Sequence, residues 1–121
     1  MKRITKVFDR RNVLVAFIMA GDPDLKKTRE YVIALEDGGA DIIELGIPFS
    51  EPIADGPVIQ RAGERALKGG TNITKILKMV SGLRQRTQVP IVLMGYYNPI
   101  FRYGADMFFE NAAEAGVDGI I

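Results

Sequence analysis

The stretch from Glu44 to Pro57, Glu-Leu-Gly-Ile-Pro-Phe-Ser-Glu-Pro-Ile-Ala-Asp-Gly-Pro, gathers the groups best suited to acid and base chemistry. It leaves an apolar run, Asp41 to Leu45, that reads as a β-strand. Period-two alternation puts Ile42 and Glu44 on one face of that strand and Ile43 and Leu45 on the other. With Ile43 and Leu45 turned toward covering helices, Glu44 points to the opposite face near the strand's carboxyl end, where α/β folds hold their ligands. A carboxylate walled by apolar neighbours is costly to ionise, so the Glu44 pKa is expected to rise toward the working range of a general acid and base. The residues alone equally allow Glu44 to accept a hydrogen bond from a nearby loop or helix amide.

Asp55 lies just ahead of Gly56-Pro57, where a helix is predicted to begin. An aspartate at that point is favoured by capping and by the helix dipole, so a structural role competes with a chemical one. Pro48, Pro52 and Pro57 restrict the loop and would hold both acids in place. Tyr96, Tyr97 and Asn98 follow a later strand and could line the same mouth, although Asn98-Pro99 is also an ordinary turn opener. Phe17 and Met19 share a face of the first strand, with core packing as the default reading for both. Ser50 has no histidine to activate it, and no lysine falls at a predicted strand end to support Schiff-base chemistry.

With no histidine and no cysteine, the chain cannot build the usual zinc sites, a thiolate nucleophile, a Ser-His-Asp triad or a disulfide. Proton transfer near neutral pH then falls to carboxylates, tyrosine or lysine. The absence of cysteine fits a reducing, cytoplasmic setting. Sixteen Lys and Arg against fifteen Asp and Glu give a net charge of +1, and no basic block gives the field expected of a nucleic-acid or membrane-surface binder. The longest apolar run, Val13 to Gly21, is far short of the ~20 residues that cross a bilayer.

The elements that must position these residues follow a repeated plan. The 121 residues are expected to form a single domain. A short amphipathic helix over 3–10, carrying Ile4, Val7 and Phe8, could plug one end of a sheet. Strands are predicted near 13–19, 41–45, 90–94 and 117–121, each a continuous apolar run. Behind the first, Asp22-Pro23-Asp24 offers an aspartate cap and a proline suited to a first helical turn, with Leu25, Thr28, Val32 and Leu35 on one stripe. A second helix carries Val58, Ile59, Ala62 and Ala66, and an inserted one carries Ile73, Ile76, Leu77, Val80 and Leu83. After the third strand a loop over 95–99 precedes a helix with Phe108, Phe109, Ala112 and Ala113. Such alternation indicates a parallel sheet covered by helices, either a small doubly wound sheet or part of a (β/α)8 barrel, and the spacing does not choose between them. The first strand is not followed by Gly-x-Gly-x-x-Gly or a Walker lysine loop, which counts against a nucleotide-binding version.

The segment Glu44 to Gln60 closely resembles the signature of the tryptophan synthase alpha chain family. Agreement extends along essentially the whole chain, through Ala20-Gly21-Asp22-Pro23, Gly38 to Glu44, Met94 to Pro99 and Gly116 to Ile121. The resemblance implies the first half of a (β/α)8 barrel, four parallel strands with helices and no closure within the 121 residues. It also implies cleavage of indole-3-glycerol phosphate to indole and glyceraldehyde 3-phosphate, in a cytoplasmic lyase without metal or cofactor. Glu44 then matches the family's general acid and base, and Asp55 the carboxylate that stabilises the indole N–H. Phe17 and Tyr96 match positions lining the indole pocket. Pro48, Glu51 and Pro52 match part of the surface that meets the tryptophan synthase beta chain. Glu51 departs from the family's usual aspartate, keeping the charge one methylene further out.

A full barrel takes ~250 residues. The family's phosphate grip comes from loops after the seventh and eighth strands, so this stretch alone is expected to turn over negligibly. Open strand edges and an apolar inner face also predict self-association. A non-enzymatic, self-associating half-barrel or interaction module is the alternative reading.

Overall fold

In the computed structural model, which describes residues 2–9 and 12–121, the chain alternates strands and helices. A short helix α1 (Lys2–Val7) precedes β1 (Val15–Met19), α2 (Leu25–Asp37) and β2 (Ile42–Gly46). Next come α3 (Pro57–Lys68), α4 (Ile73–Leu83) and β3 (Ile91–Met94), then α5 (Tyr97–Tyr103), α6 (Ala105–Ala115) and β4 (Gly119–Ile120). All three strand pairings are parallel, and the order across the sheet is β1-β2-β3-β4. A doubly wound sheet reverses its order at a switch point; here each new strand joins the same advancing edge, which is how a barrel is wound. The choice left open by spacing is therefore made by strand pairing.

One face of the sheet is sealed by helices. Ile43, Leu45, Ile91 and Leu93 are fully buried in one cluster with Val32 of α2, Phe108 of α6 and the α4 stripe. Ile73, Ile76, Leu77, Val80 and Leu83 of α4 are all buried, because positions three and four apart stack on one side of a helix. Removing each such side chain from water contributes about 1.5–3 kcal/mol before chain entropy is counted. Among the described residues, no helix is long and apolar enough to cross a membrane.

Several elements differ in detail from the sequence reading. Asn12 takes a left-handed φ of 62°, and β1 starts only at Val15, where pairing with Ile42 begins. Val13 and Leu14 belong to its approach, with the Leu14 amide donating to the Asp41 carboxylate at 2.9 Å. Pro23 lies ahead of α2 and outside its first turn, because Asp24 is the cap and accepts from the Lys27 amide at 2.7 Å. The expected turn at Asn98-Pro99 is the first turn of α5. Proline is tolerated there because the first amides of a helix have no intrahelical acceptor. On α6 the buried stripe is Phe108, Ala112 and Ala115, while Phe109 is 53% exposed and Ala113 faces solvent. Of the short helix expected over 3–10, Arg10 lies outside the described residues, and Phe8 is exposed. Ile4 reaches the inner face, its Cδ1 lying 3.8 Å from where a Cβ on Gly119 would stand.

The end of the sheet away from the carboxyl tips is locked by a buried carboxylate. Asp118, its side chain 1% exposed, accepts from Arg84 at 2.8 Å, from Arg3 at 2.9 Å and from the Ile91 amide at 2.9 Å. Arg84 also donates to the Gly116 carbonyl at 2.8 Å and the Val89 carbonyl at 2.7 Å. Burial pulls the Arg84 guanidinium below its ordinary pKa and the Arg3 charge adds to this, while Asp118 opposes both. These bonds join α1, the end of α4, β3 and the entry to β4.

Candidate functional site

The carboxyl end of the sheet is organised first by the turn after β1. Gly21 has a φ of +91°, and a Cβ there would stand 2.0 Å from Thr71 Oγ1, so both the backbone angle and the space require glycine. Its amide donates to the buried Thr28 hydroxyl at 3.0 Å, and that hydroxyl donates to the Asp24 carbonyl at 2.9 Å. Asp22 in the same turn receives both Nε and one terminal nitrogen of Arg65 on α3, at 2.7 and 2.9 Å. This planar, two-pronged contact ties α3 to β1.

The Arg65 hydrogen bond holds the Asp22 carboxyl below the usual carboxylate range, against a smaller opposing effect of burial. A carboxyl depressed in the folded state contributes stability above its unfolded pKa, and that contribution disappears as pH falls through the folded value. Asp22→Asn should therefore lower Tm at pH 6, and the gap to the unsubstituted chain should close as pH drops below about 4. Thermal melts across that range check the sign; a gap that widens in acid would be contrary to it.

On the sheet's inner face, Glu44 of β2 is half-buried and stands in register with Phe17 of β1 and Val92 of β3. One pleat further toward the carboxyl end, roughly 7 Å along the strand, the corresponding layer is Met19, Gly46 and Met94. Gly46 is a point of close approach: a Cβ there would lie 2.8 Å from Phe17 Cζ and 2.9 Å from Met19 Sδ. The Phe17 ring thus leans up the strand across Gly46. Met19 packs with Ala62 and Ala66 of α3, and Phe17 and Ile59 lie against them. Thus α3 folds over the mouth of the inner face, while α2, α4 and α6 cover the outer one.

Between that layer and the β2–α3 loop lies a cavity of about 130 Å³. Phe17, Met19, Asp55, Ile59, Met94 and Tyr96 are among the residues lining it. The fold thus brings three of the candidate site residues, Phe17, Asp55 and Tyr96, to one cavity, with Glu44 one pleat below on the same face. Asp55 does not cap α3. The N-cap is Gly56, without a side-chain hydrogen bond, and Pro57 occupies the first turn. The Ala54 amide donates to the Tyr96 hydroxyl at 2.9 Å, and the Tyr96 ring sits 5.3 Å from that of Phe49. Gln60 Nε2 donates to the Asp55 carbonyl at 2.8 Å. Pro48 is buried, Pro52 half-buried and Glu51 exposed, away from this cavity, and Ile53 at the loop tip is 92% exposed. A larger groove of about 880 Å³ runs between α2 and α4 on the outer surface, and neither Glu44 nor Asp55 lines it.

A family model described as tryptophan synthase alpha chain matches residues 5–121. The chain belongs to that family. It is 53% identical to the tryptophan synthase alpha chain of Geotalea daltonii over 126 residues, covering 100% of this chain and 48% of that one. The crystal structure of tryptophan synthase subunit alpha from Legionella pneumophila superposes with a TM-score of 0.92 at 46% identity, covering 98% of this chain and 46% of that one. A chain in the crystal structure of the tryptophan synthase complex from Pyrococcus furiosus superposes with a TM-score of 0.85 at 47% identity, covering 90% and 45%. The chain spans about half the length of the curated relatives it matches. Its four strands and their helices are the first half of the alpha-chain (β/α)8 barrel, with the sheet left open.

Within this family fold, spacing leaves several neighbours of the site unmarked. Met94 and Gly46 stand two residues beyond Val92 and Glu44, so period two could have placed them on the inner face once the register was known. Ile59 carries no such signal. It reaches the cavity only because α3 crosses to the inner face, which no local pattern announces.

Proposed function

We propose that this chain supplies the carboxylate half of an active site that cleaves indole-3-glycerol phosphate to indole and glyceraldehyde 3-phosphate. In the retro-aldol step the bond between indole C3 and the glycerol phosphate side chain breaks. Its electron pair stays with the ring, and the adjacent hydroxyl becomes an aldehyde. Glu44 protonates indole C3 and takes up the hydroxyl proton, so one carboxyl group balances the transfer. Asp55 accepts from the indole N–H as positive charge develops on the protonated ring. Phe17 and Tyr96 form the walls against which the flat apolar ring rests. The observation that carries this reading is the convergence of Asp55, Phe17 and Tyr96 on one cavity above Glu44.

The product indole would pass to a tryptophan synthase beta chain in the cytoplasm. The β2–α3 loop is suited to that contact. Glu51 offers a solvent-facing charge, and Ile53 gives an apolar tip that a partner would cover. Pro48 and Pro52 stiffen the same loop.

Substrate phosphate needs an anion grip, and the four-strand half lacks the late barrel loops that would supply it. The 121 residues assayed alone should therefore release indole at less than about a hundredth of the rate of a fusion carrying the carboxyl-terminal half of the Geotalea daltonii relative. Indole release followed by fluorescence checks this. Equal activity of the two proteins, or an inert fusion that is folded, would contradict the proposal.

A further inference from the structure

We infer that Tyr96 and Gln60 are positioning residues for Asp55, gripping the backbone on both sides of it. This rests on the reading of Asp55 as a catalytic carboxylate. Asp55 sits in the irregular stretch between β2 and α3, where no strand ladder or helix fixes the chain. Its own amide donates to the Pro52 carbonyl at 3.0 Å, closing a local turn. Two side chains from other elements complete the hold. The Tyr96 hydroxyl, just beyond β3, accepts the amide of the preceding residue, Ala54, at 2.9 Å. Gln60, in the first turns of α3, donates its amide to the Asp55 carbonyl at 2.8 Å.

The Asp55 amide and carbonyl bonds orient the two peptide units flanking Asp55, the Ala54 bond to Tyr96 fixes the unit before them, and the Asp55 Cα–Cβ direction follows. Asp55 lines the cavity, and only its two side-chain torsions remain to aim the carboxylate. Tyr96 is itself braced by Phe49, so the clamp joins the ends of β2 and β3 through the loop. A tyrosine at this point therefore does more than wall the pocket: its ring lines the cavity while its hydroxyl is committed to the loop.

The test is a double-mutant cycle in the fusion with the Geotalea daltonii carboxyl-terminal half. Tyr96→Phe keeps the ring and removes the acceptor; it should lower kcat about tenfold with KM within about twofold. Once Asp55→Asn has removed the carboxylate, Tyr96→Phe should change kcat by less than about twofold, because the group it positions is gone. Gln60→Met, similar in shape but without a donor, should show the same coupling. On the 121-residue chain, amide exchange at Ala54 should quicken in Tyr96→Phe while core amides in β2 and β3 keep their protection. Equal losses from Tyr96→Phe with and without the Asp55 carboxylate, or unchanged exchange at Ala54, would overturn the clamp. A fully active Asp55→Asn would overturn the catalytic reading and the clamp together. A damaging Asp55→Asn with an additive cycle overturns the clamp alone.

Discussion

Glu44→Gln in the full-length fusion should lower kcat for indole release by about 10²–10⁴-fold, the usual range for a positioned general acid and base, with KM nearly unchanged. Glutamine preserves the side chain's length and its fit beside Phe17 and Val92, so the loss isolates proton transfer from packing. The same half-barrel face should stay intact, which a matching thermal melt would confirm. Steady-state kinetics on purified protein make the measurement. Activity within about threefold of the unsubstituted fusion would remove Glu44 from the proton-transfer role, because a missing proton carrier cannot be that cheap.

The second large effect is on stability and lies at the other end of the sheet. Asp118→Ala should cost about 3–5 kcal/mol, the range for breaking a buried ion pair by removing one partner. Arg84, with a side chain only 12% exposed, would then keep its charge in a site built around a carboxylate. The Ile91 amide would lose its acceptor as well. Folded domains are stable by only about 5–15 kcal/mol, so the isolated half-barrel could lose most of its folded population. Denaturant titration followed by far-ultraviolet circular dichroism would report the shift in midpoint. A change below about 1 kcal/mol would mean that the Arg84 and Arg3 contacts behave as solvent-screened surface pairs.

The two predictions divide the sheet into ends with separate tasks. At one end a buried carboxylate and two arginines tie α1, the end of α4, β3 and the entry to β4 together. At the other, Glu44 lies on the inner face of β2 and Asp55 lines the cavity above it from the β2–α3 loop, among mostly apolar neighbours. Asp22 and Arg65 link the turn after β1 to α3 and so steady the roof of that face from its exposed side. The clamp at Asp55 connects the end of β3 to the same roof.

Much of this was readable from spacing. Period two put Glu44 opposite Ile43 and Leu45, and the structure buries those two among the helices. The α4 stripe from Ile73 to Leu83 and the cap at Asp24 lie where residue type and a three-to-four repeat place them. These features are local: a pleat or a helical turn is decided by residues within a few positions of one another. Asp55 was ambiguous for the same reason. A cap and a catalytic acid look alike at the start of a helix; Gly56 taking the capping position removes the first reading, and the second is the one proposed above.

By itself, then, the sequence determined the alternation of strands and helices, the two faces of β2 and the stripe of α4, the family to which the chain belongs and the two acids proposed for its site. Val58, Phe109 and Ala113, read on helix stripes, are exposed. Tertiary structure alone decided the order β1-β2-β3-β4, the passage of α3 over the inner face, the close approach of Phe17 to Gly46 and the grip of Tyr96 on Ala54. The physical reason is reach. Tyr96 and Ala54 are 42 positions apart, and α3 crosses to β1 over a comparable length of chain. Contacts of that span depend on how whole elements pack, which no short-range pattern encodes.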